Sequence, residues 1–239
     1  MKKVLSILLL STFLFSLFAE GIKVECNDKW ESHEHKNYEY FELCYIEDFE
    51  SSEYVTWKMT RNMALAPNLP RSNDFRVDFG ISTGSADPND YLKTGYDRGH
   101  LAPNDDFNYS FESMSATFLM SNMSPQTPKC NRQTWRCAEK LDSEYAKEYG
   151  IIYICCGPIF NNGEIKATIG KNEVGIPDAF FRIFYCENQL LKCYIIPQDC
   201  EVIAPGSKDN ISKLENKLKR YEVDLEQIEE STGLKFIFE

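Results

Sequence analysis

The chain has 239 residues, of which 43% are hydrophobic and 26% are charged, and its formal net charge is -11. This length and composition fit one sizeable domain with a hydrophobic core. The acidic balance excludes binding to nucleic acid through overall charge attraction, so any such binding requires a local basic pocket or a metal ion.

The first 19 residues have the pattern of a secretory signal peptide. Two lysines precede a run from Val4 to Phe18 that is apolar except for Ser and Thr, and the small residue Ala19 follows. The run is short for a membrane span, which needs about 20 apolar residues. We therefore predict a signal peptide over residues 1–19 and a soluble, secreted or periplasmic mature protein without a membrane segment.

Residues 20–37 are mostly polar, and they predict a loosely held N-terminal arm before a single domain over residues 38–239. His33 and His35 in this arm have a spacing that could bind a metal ion. We interpret them instead as part of an exposed polar segment.

All nine cysteines lie beyond the predicted signal peptide. Exported proteins commonly form disulfides, and an odd count leaves at least one thiol free or paired between chains. Cys26–Cys44 and Cys186–Cys193 are candidate pairs, while the connectivity stays open.

The remaining elements alternate between strand-like and helix-like segments. A helix is predicted over residues 131–149, where Pro and Gly are absent, and Gly150 ends it. The apolar run 151–156 predicts a buried strand. Further strands are predicted at 40–45 and 54–59 and in a hairpin of 180–186 with 190–196, and further helices at 209–220 and 225–232. This order favours an α+β fold with a mainly antiparallel central sheet flanked by helices.

The run Asp97-Arg98-Gly99-His100 places a cation, a flexible backbone position and an imidazole side by side. A neutral imidazole accepts a proton from water near physiological pH. The guanidinium of Arg98 suits phosphate oxygens, and Gly99 permits a sharp turn or a close backbone approach. Asp97 pairs with Arg98 or with another cation, and the sequence leaves this choice open.

Asn131, Trp135 and Glu139 follow at a spacing of four residues, which places them on one broad helix face. An amide oxygen is a suitable Mg²⁺ ligand, although Asn131 also fits a helix N-cap. Asn131 and Glu139 lie about 12 Å apart along the helix axis, so Glu139 is expected to act through a metal-bound water. Trp135 is expected in the core.

Taken together, three patterns resemble one known family. The run DRGHLAP begins at Asp97, SNxxPQ begins at Ser121, and Asn131 is followed by Trp135 and Glu139. The chain is similar in this respect to the DNA/RNA non-specific endonucleases, which have a ββα-metal active site. The resemblance extends from about residue 38 to residue 238 and makes the predicted domain a nuclease domain.

The resemblance implies Mg²⁺-assisted hydrolysis of phosphodiester bonds, with Mn²⁺ as a possible substitute. His100 matches the general base, Asn131 the direct metal ligand, and Glu139 the acid that holds a metal-bound water. DNA and RNA are the implied substrates, contacted through backbone phosphates and cleaved to 5′-phosphate products.

Three further positions match the family. Arg98 matches a phosphate-binding arginine, and Asn122 matches an asparagine that supports the site. Arg71 is matched to an arginine that stabilises the transition state, with Arg76 as the alternative. Asp105 departs from the small residue usual in the family, and this extra carboxylate is expected either to repel DNA and weaken substrate affinity or to help hold cations. The leading hypothesis is therefore an exported, sugar-non-specific endonuclease, and the alternative is a secreted nucleic-acid-binding or adhesion protein that has lost catalysis.

Overall fold

A six-stranded antiparallel sheet organises the chain. The computed structural model describes residues 21–26, 29–187 and 189–239, so the predicted signal peptide lies outside the described residues. In chain order the elements are β1 (Ile22–Glu25), β2 (Glu34–Asn37), β3 (Glu42–Ile46), β4 (Ser51–Thr60), α1 (Arg61–Leu65), β5 (Asp97–His100), α2 (Phe111–Ala116), β6 (Met123–Gln126), α3 (Arg136–Tyr149), β7 (Ile151–Ile159), β8 (Thr168–Ile169), β9 (Val174–Gly175), β10 (Ala179–Cys186), β11 (Gln189–Pro197), α4 (Ile211–Leu218), α5 (Leu225–Thr232) and β12 (Lys235–Phe238). The central sheet has the order β11-β10-β7-β4-β3-β2 with antiparallel neighbours throughout. The α+β prediction is confirmed.

Both faces of this sheet are covered, which explains the continuous apolar runs in its central strands. In β10, Phe180 and Phe184 belong to the core that also contains residues of α3. Phe181 and Ile183, which point the other way, belong to a second core with residues of β12 and α5. The sheet therefore separates two hydrophobic cores, and α3 packs on only one face.

The predicted long helix forms, but a π-helical turn over Cys130–Trp135 precedes α3 and includes the first five predicted residues. Gly150 ends α3 with a φ of 91°, a conformation that glycine adopts without steric cost. The buried side chains of α3, including Leu141 and Tyr145, face the sheet. Across the described ranges, no helix has the length and apolar character that a membrane crossing requires.

The prediction of a loosely held arm is wrong for residues 22–25 and 34–37. β1 pairs with β12, near the other end of the chain, and β2 forms an edge strand against β3. The buried Ile22 explains the first pairing, because it packs in the second core. The local sequence does not reveal this contact, since its partner strand lies more than two hundred residues away.

The structure shows none of the candidate disulfides, since all nine cysteines are free thiols in it. Cys193 lies opposite Ile183 in the β10–β11 hairpin, whereas Cys186 lies opposite Gln189. Cys186 and Cys193 face different cores, so the register excludes their pairing. The Cys26 thiol donates a hydrogen bond to the Cys44 sulfur, and the two sulfur atoms lie 3.6 Å apart without a covalent bond.

Candidate active site

The site is built on two short strands and a helix. β5 pairs antiparallel with β6, so that Gly99 lies opposite Ser124 and His100 opposite Met123. The π turn and α3 follow β6, which confirms the ββα arrangement. Gly99 is required by packing, because a Cβ atom there would collide with the side chain of Gln126.

Asn122 holds the chain just beyond His100. Its Oδ1 atom accepts a hydrogen bond from the Ala102 amide at 2.9 Å, and its Nδ2 atom donates to the carbonyl oxygens of Ala102 and Thr117, each at 2.9 Å. The side chain is fully buried. Asn122 is therefore a positioning residue that fixes the backbone next to His100.

His100 lies in an aromatic pocket and is only 6% exposed. Its ring packs edge-on against Phe118 and Phe75, with centroid distances of 4.9 and 5.6 Å. Trp135 donates from Nε1 to the His100 carbonyl oxygen at 3.3 Å. Burial, followed by the charges of Arg71 and Arg98, lowers the pKa of His100 to about 3. The imidazole is therefore neutral at physiological pH, as a proton acceptor must be.

The buried, neutral state of this imidazole predicts a pH effect on stability. Unfolding returns the pKa of His100 to about 6.5. The unfolded state therefore binds a proton that folded His100 does not bind, and stability falls as the pH drops below about 6.5. Between about pH 7 and pH 5 the loss due to His100 is expected to be about 2 kcal/mol. Urea unfolding at both pH values should show this loss in the wild type, and His100→Gln should lack it. Equal losses in the two proteins would contradict the buried neutral assignment.

His100 opens into a cleft of about 360 Å³. The cleft is lined by Arg71, Arg98, His100, Pro103, Asn104, Asp105, Asn131, Arg132, Arg136 and Glu139. Four guanidinium groups therefore face two carboxyl groups in a chain whose overall charge is negative. This cleft supplies the local basic pocket that the composition demands of a nucleic-acid-binding protein.

Phe75 and Phe118 also pack against two of the arginines. The guanidinium carbon of Arg98 lies 4.2 Å from the ring centroid of Phe75, and that of Arg71 lies 4.8 Å from the ring centroid of Phe118. Arg71 also donates to Oδ1 of Asn104. Phe75 and Phe118 thus orient the imidazole and both guanidinium groups, a role that the sequence reasoning missed.

Arg76, the alternative to Arg71, does not line the cleft. It donates to Oδ2 of Asp74 at 2.9 Å and to the Ser115 carbonyl oxygen at 2.9 Å. The structure therefore brings Arg71, and not Arg76, together with Arg98 and His100.

Asp97 orients Asn131 from outside the cleft. Its carboxylate accepts hydrogen bonds from Arg132 at 2.6 and 2.8 Å and from Nδ2 of Asn131 at 2.9 Å. Burial opposes ionisation of Asp97, but these hydrogen bonds outweigh it and lower its pKa. Because Asp97 engages the amide nitrogen, the amide oxygen of Asn131 points away from it. The open question of the Asp97 partner is settled in favour of Arg132.

The N-cap alternative for Asn131 is not supported by its position. Asn131 is the second residue of the π turn, and its backbone amide donates to the Thr127 carbonyl oxygen at 2.9 Å. The hydroxyl of Thr127 accepts a hydrogen bond from the Cys130 amide at 3.3 Å, so Thr127 provides the side-chain partner for the free backbone amide of this turn. The side chain of Asn131 is thus free of the capping role and lines the cleft.

The residues around Glu139 fit a hard divalent cation. Burial, together with the charges of Asp105 and Asp142, raises the pKa of Glu139 to about 8. Glu139 shares the cleft with Asp105 and the amide of Asn131, so the donor set consists of oxygen atoms, which Mg²⁺ prefers. A cation there would relieve the carboxylate repulsion that raises this pKa. Asp105, the departure from the family pattern, therefore lies beside both the arginines and Glu139.

A buried ion pair fixes α3 beneath this cleft. Arg182 of β10 is fully buried and donates from Nε to Oδ1 of Asp142 at 3.0 Å. Its guanidinium lies between Trp57 and Trp135, at 5.0 and 5.1 Å from their ring centroids. Asp142 stands three residues beyond Glu139 on α3, so this pair holds the helix that carries Glu139. The sequence reasoning missed it, although a lone arginine within the apolar run 180–186 was a signal.

Comparison with known proteins relates the chain to a family of nucleases. The family model for DNA/RNA non-specific endonucleases matches residues 22–238, and the chain belongs to that family. It is 31% identical to human mitochondrial Endonuclease G over 215 residues, which cover 84% of this chain and 69% of that protein. It is 32% identical to the Nuclease of Nostoc sp. over 82% of this chain and 70% of that protein.

A solved structure of EndoG in complex with EndoGI has a TM-score of 0.71 to this chain. The two are 26% identical, and the match covers 84% of each chain. The fold shown by this likeness is the α+β fold with the ββα motif described above, and membership of the family implies a hydrolase that acts on nucleic acids.

Proposed function

We propose that this chain is an Mg²⁺-dependent endonuclease that hydrolyses phosphodiester bonds in both DNA and RNA, with Mn²⁺ able to substitute. The observation that carries the proposal is the convergence, in one cleft, of a neutral buried imidazole, four arginines and a set of oxygen donors. The family to which the chain belongs supports the substrate class.

In this mechanism His100 accepts the proton of the attacking water, because its lowered pKa keeps it neutral. Arg71 and Arg98, which flank it, bind the phosphate oxygens and stabilise the charge that develops on them. Asn131 would hold the metal ion directly and Glu139 through a water; when bound, the ion adds positive charge at the phosphate and the leaving oxygen. We expect 5′-phosphate products.

Backbone contacts account for the absence of sugar and sequence selectivity. The arginines of the cleft suit phosphate oxygens, which DNA and RNA share and which carry no base information. A second cleft of about 520 Å³ adjoins the first and shares Asp105, Arg132, Arg136 and Glu139 with it. Together they offer a continuous path for a polynucleotide past His100.

The decisive experiment is cleavage of circular plasmid DNA and of RNA by the purified protein with Mg²⁺. We expect both to be degraded, the circular DNA showing internal cleavage, and we expect EDTA to stop both reactions. Intact substrates with Mg²⁺ and with Mn²⁺ would overturn the proposal. Binding of nucleic acid without cleavage would instead favour the alternative of a secreted binding or adhesion protein.

Loss of the Asp97 carboxylate should weaken the affinity of the proposed site for Mg²⁺. Asp97→Ala releases the Asn131 amide, and removing such an outer partner typically costs about tenfold to a hundredfold in metal affinity. We expect the Mg²⁺ concentration for half-maximal activity to rise by about that factor. Asp74→Ala is the matched control, since Asp74 pairs with Arg76 outside the cleft. An unchanged Mg²⁺ dependence in Asp97→Ala would contradict the role assigned to Asn131.

We also propose export, on the basis of residues 1–19. The human relative is named as mitochondrial, so the destination of this chain needs its own test. Full-length protein should be processed near Ala19 and recovered outside the cytoplasm, whereas a chain lacking residues 1–19 should remain inside. Cytoplasmic retention of the full-length chain would contradict export.

A further inference from the structure

A cluster of sulfur, nitrogen and carboxylate groups lies away from the active-site cleft. It contains Cys26, His33, Cys44 and Glu53, whose potential ligand atoms all lie within 4.8 Å of one another. Cys44 packs in the second core, on the sheet face opposite α3. None of the four lines the cleft around His100, so the cluster needs an explanation of its own.

The spacing of the ligand atoms matches a tetrahedral zinc site. With Zn–S bonds of about 2.3 Å and Zn–N bonds of about 2.0 Å, a tetrahedron places two sulfurs about 3.8 Å apart and a sulfur and a nitrogen about 3.5 Å apart. The Cys26 and Cys44 sulfurs lie 3.6 Å apart, and Nδ1 of His33 lies 3.5 Å from the Cys44 sulfur. The side chains are therefore already at ligand spacing.

Two groups are placed to supply a fourth ligand. Nε2 of His35 lies 3.9 Å from the Cys26 sulfur and 4.0 Å from the Cys44 sulfur. Its other ring nitrogen lies 3.3 Å from the hydroxyl of Tyr54, the kind of outer hydrogen bond that orients histidine ligands. The second group is the carboxylate of Glu53, whose Oε2 atom lies 3.5 Å from Nδ1 of His33.

A β-bulge aims Glu53 at the cluster. Cys44 lies opposite Tyr54, and Tyr45 lies opposite Ser52, so Glu53 is the extra residue of β4. Bulges of this kind redirect a side chain. The carboxylate of Glu53 is only 5% exposed. Buried charges in proteins are paired or coordinate metals, and the Glu53 carboxylate faces the imidazole of His33 here.

We propose that Cys26, Cys44 and His33 bind a structural Zn²⁺ ion, with the fourth ligand supplied by His35 or Glu53. Thiolate and imidazole ligands select zinc over the magnesium proposed for the cleft. The site joins the segment after β1 to the β2–β3–β4 edge of the central sheet. His35 is exposed, as the interpretation of an exposed polar segment requires, but the pairing of β2 with β3 places His35 opposite Cys44 and brings His33 to the same sulfurs.

The test measures metal content and thiol chemistry in the full chain. After dialysis against excess Mg²⁺, which displaces zinc from oxygen ligands, the wild type should retain about one zinc per chain. Co²⁺ substitution should give the absorption typical of tetrahedral cobalt with thiolate ligands. Cys44→Ser should lower the zinc content at least about tenfold, whereas Cys186→Ser, a matched change in the other core, should not.

Other variants separate this site from the nuclease site and assign its last ligand. Asn131→Ala should leave the cobalt–thiolate absorption intact. His35→Gln and Glu53→Gln are compared, and the variant that removes the fourth ligand should release zinc. If that ligand is His35, Tyr54→Phe should weaken zinc binding about tenfold to a hundredfold. Two results on the wild type would overturn the proposal: no bound zinc, or a Cys26–Cys44 disulfide found by mass spectrometry. Neither result depends on a variant that folds.

Discussion

Replacing His100 by alanine is expected to lower kcat/KM for nucleic-acid cleavage by about 10²–10⁴, the range typical of a lost general base. The structure gives the reason. His100 is the imidazole of the cleft, it is neutral because burial and two arginines depress its pKa, and it opens towards the arginines that would hold the phosphate. Initial rates on plasmid DNA at saturating Mg²⁺ measure the effect.

Two controls separate this chemical role from a structural one. His100→Gln keeps much of the volume between Phe75 and Phe118 but cannot act as the base, so it should be as inactive as the alanine variant. Added imidazole should restore part of the activity to His100→Ala, because a small base can enter the vacated position. Wild-type rates in both variants would exclude His100 as the base.

Removing the buried arginine is expected to have the largest effect on stability. Arg182→Met leaves Asp142 buried without its cation, and breaking a buried pair in this way typically costs about 3–5 kcal/mol. Urea unfolding at neutral pH measures the loss. Lys166→Ala, which breaks an exposed pair with Asp178, should cost at most about 1 kcal/mol.

Acid should partly rescue the Arg182→Met protein. Burial raises the pKa of Asp106 and, against the pull of Arg182, that of Asp142, so both carboxyls become neutral readily once the arginine is gone. The difference from wild type should therefore shrink as the pH falls towards about 4. Arg182→Met with Asp142→Leu should recover most of the loss, because no charge then remains unpaired at this position. A double variant no more stable than the single one would contradict the pairing.

The sequence predicted the elements whose signals are local. The Pro- and Gly-free stretch ending at Gly150 gave the long helix, and the apolar run 151–156 gave a buried strand, because both depend on neighbouring residues. The ordered residues His100, Asn131 and Glu139 were found for a similar reason, since each stands in a short pattern of fixed spacing. The structure brings all three to one cleft.

The features that the sequence did not predict depend on distant contacts. The pairing of β1 with β12 joins the two ends of the described chain, and no local pattern encodes it. The choice between Arg71 and Arg76 depended on Phe118, which lies more than forty residues away. Arg132 and Arg136 were overlooked because single arginines on a helix are usually solvated, and only the folded cleft shows that they gather beside Asp105.

The π-helical turn Cys130–Trp135 has a consequence for how the site tolerates change in chain length. In a regular α-helix each residue turns by about 100°, so Asn131 and Glu139, eight positions apart, would point about 80° away from each other. A π turn closes wider rings and rotates less per residue, which swings the two side chains towards a common direction. Deleting one residue from this turn would leave Asn131 and Glu139 seven positions apart, and in a regular α-helix that separation again brings the two side chains within about 20° of one direction. The proposed metal site therefore depends on helical phase as much as on residue identity.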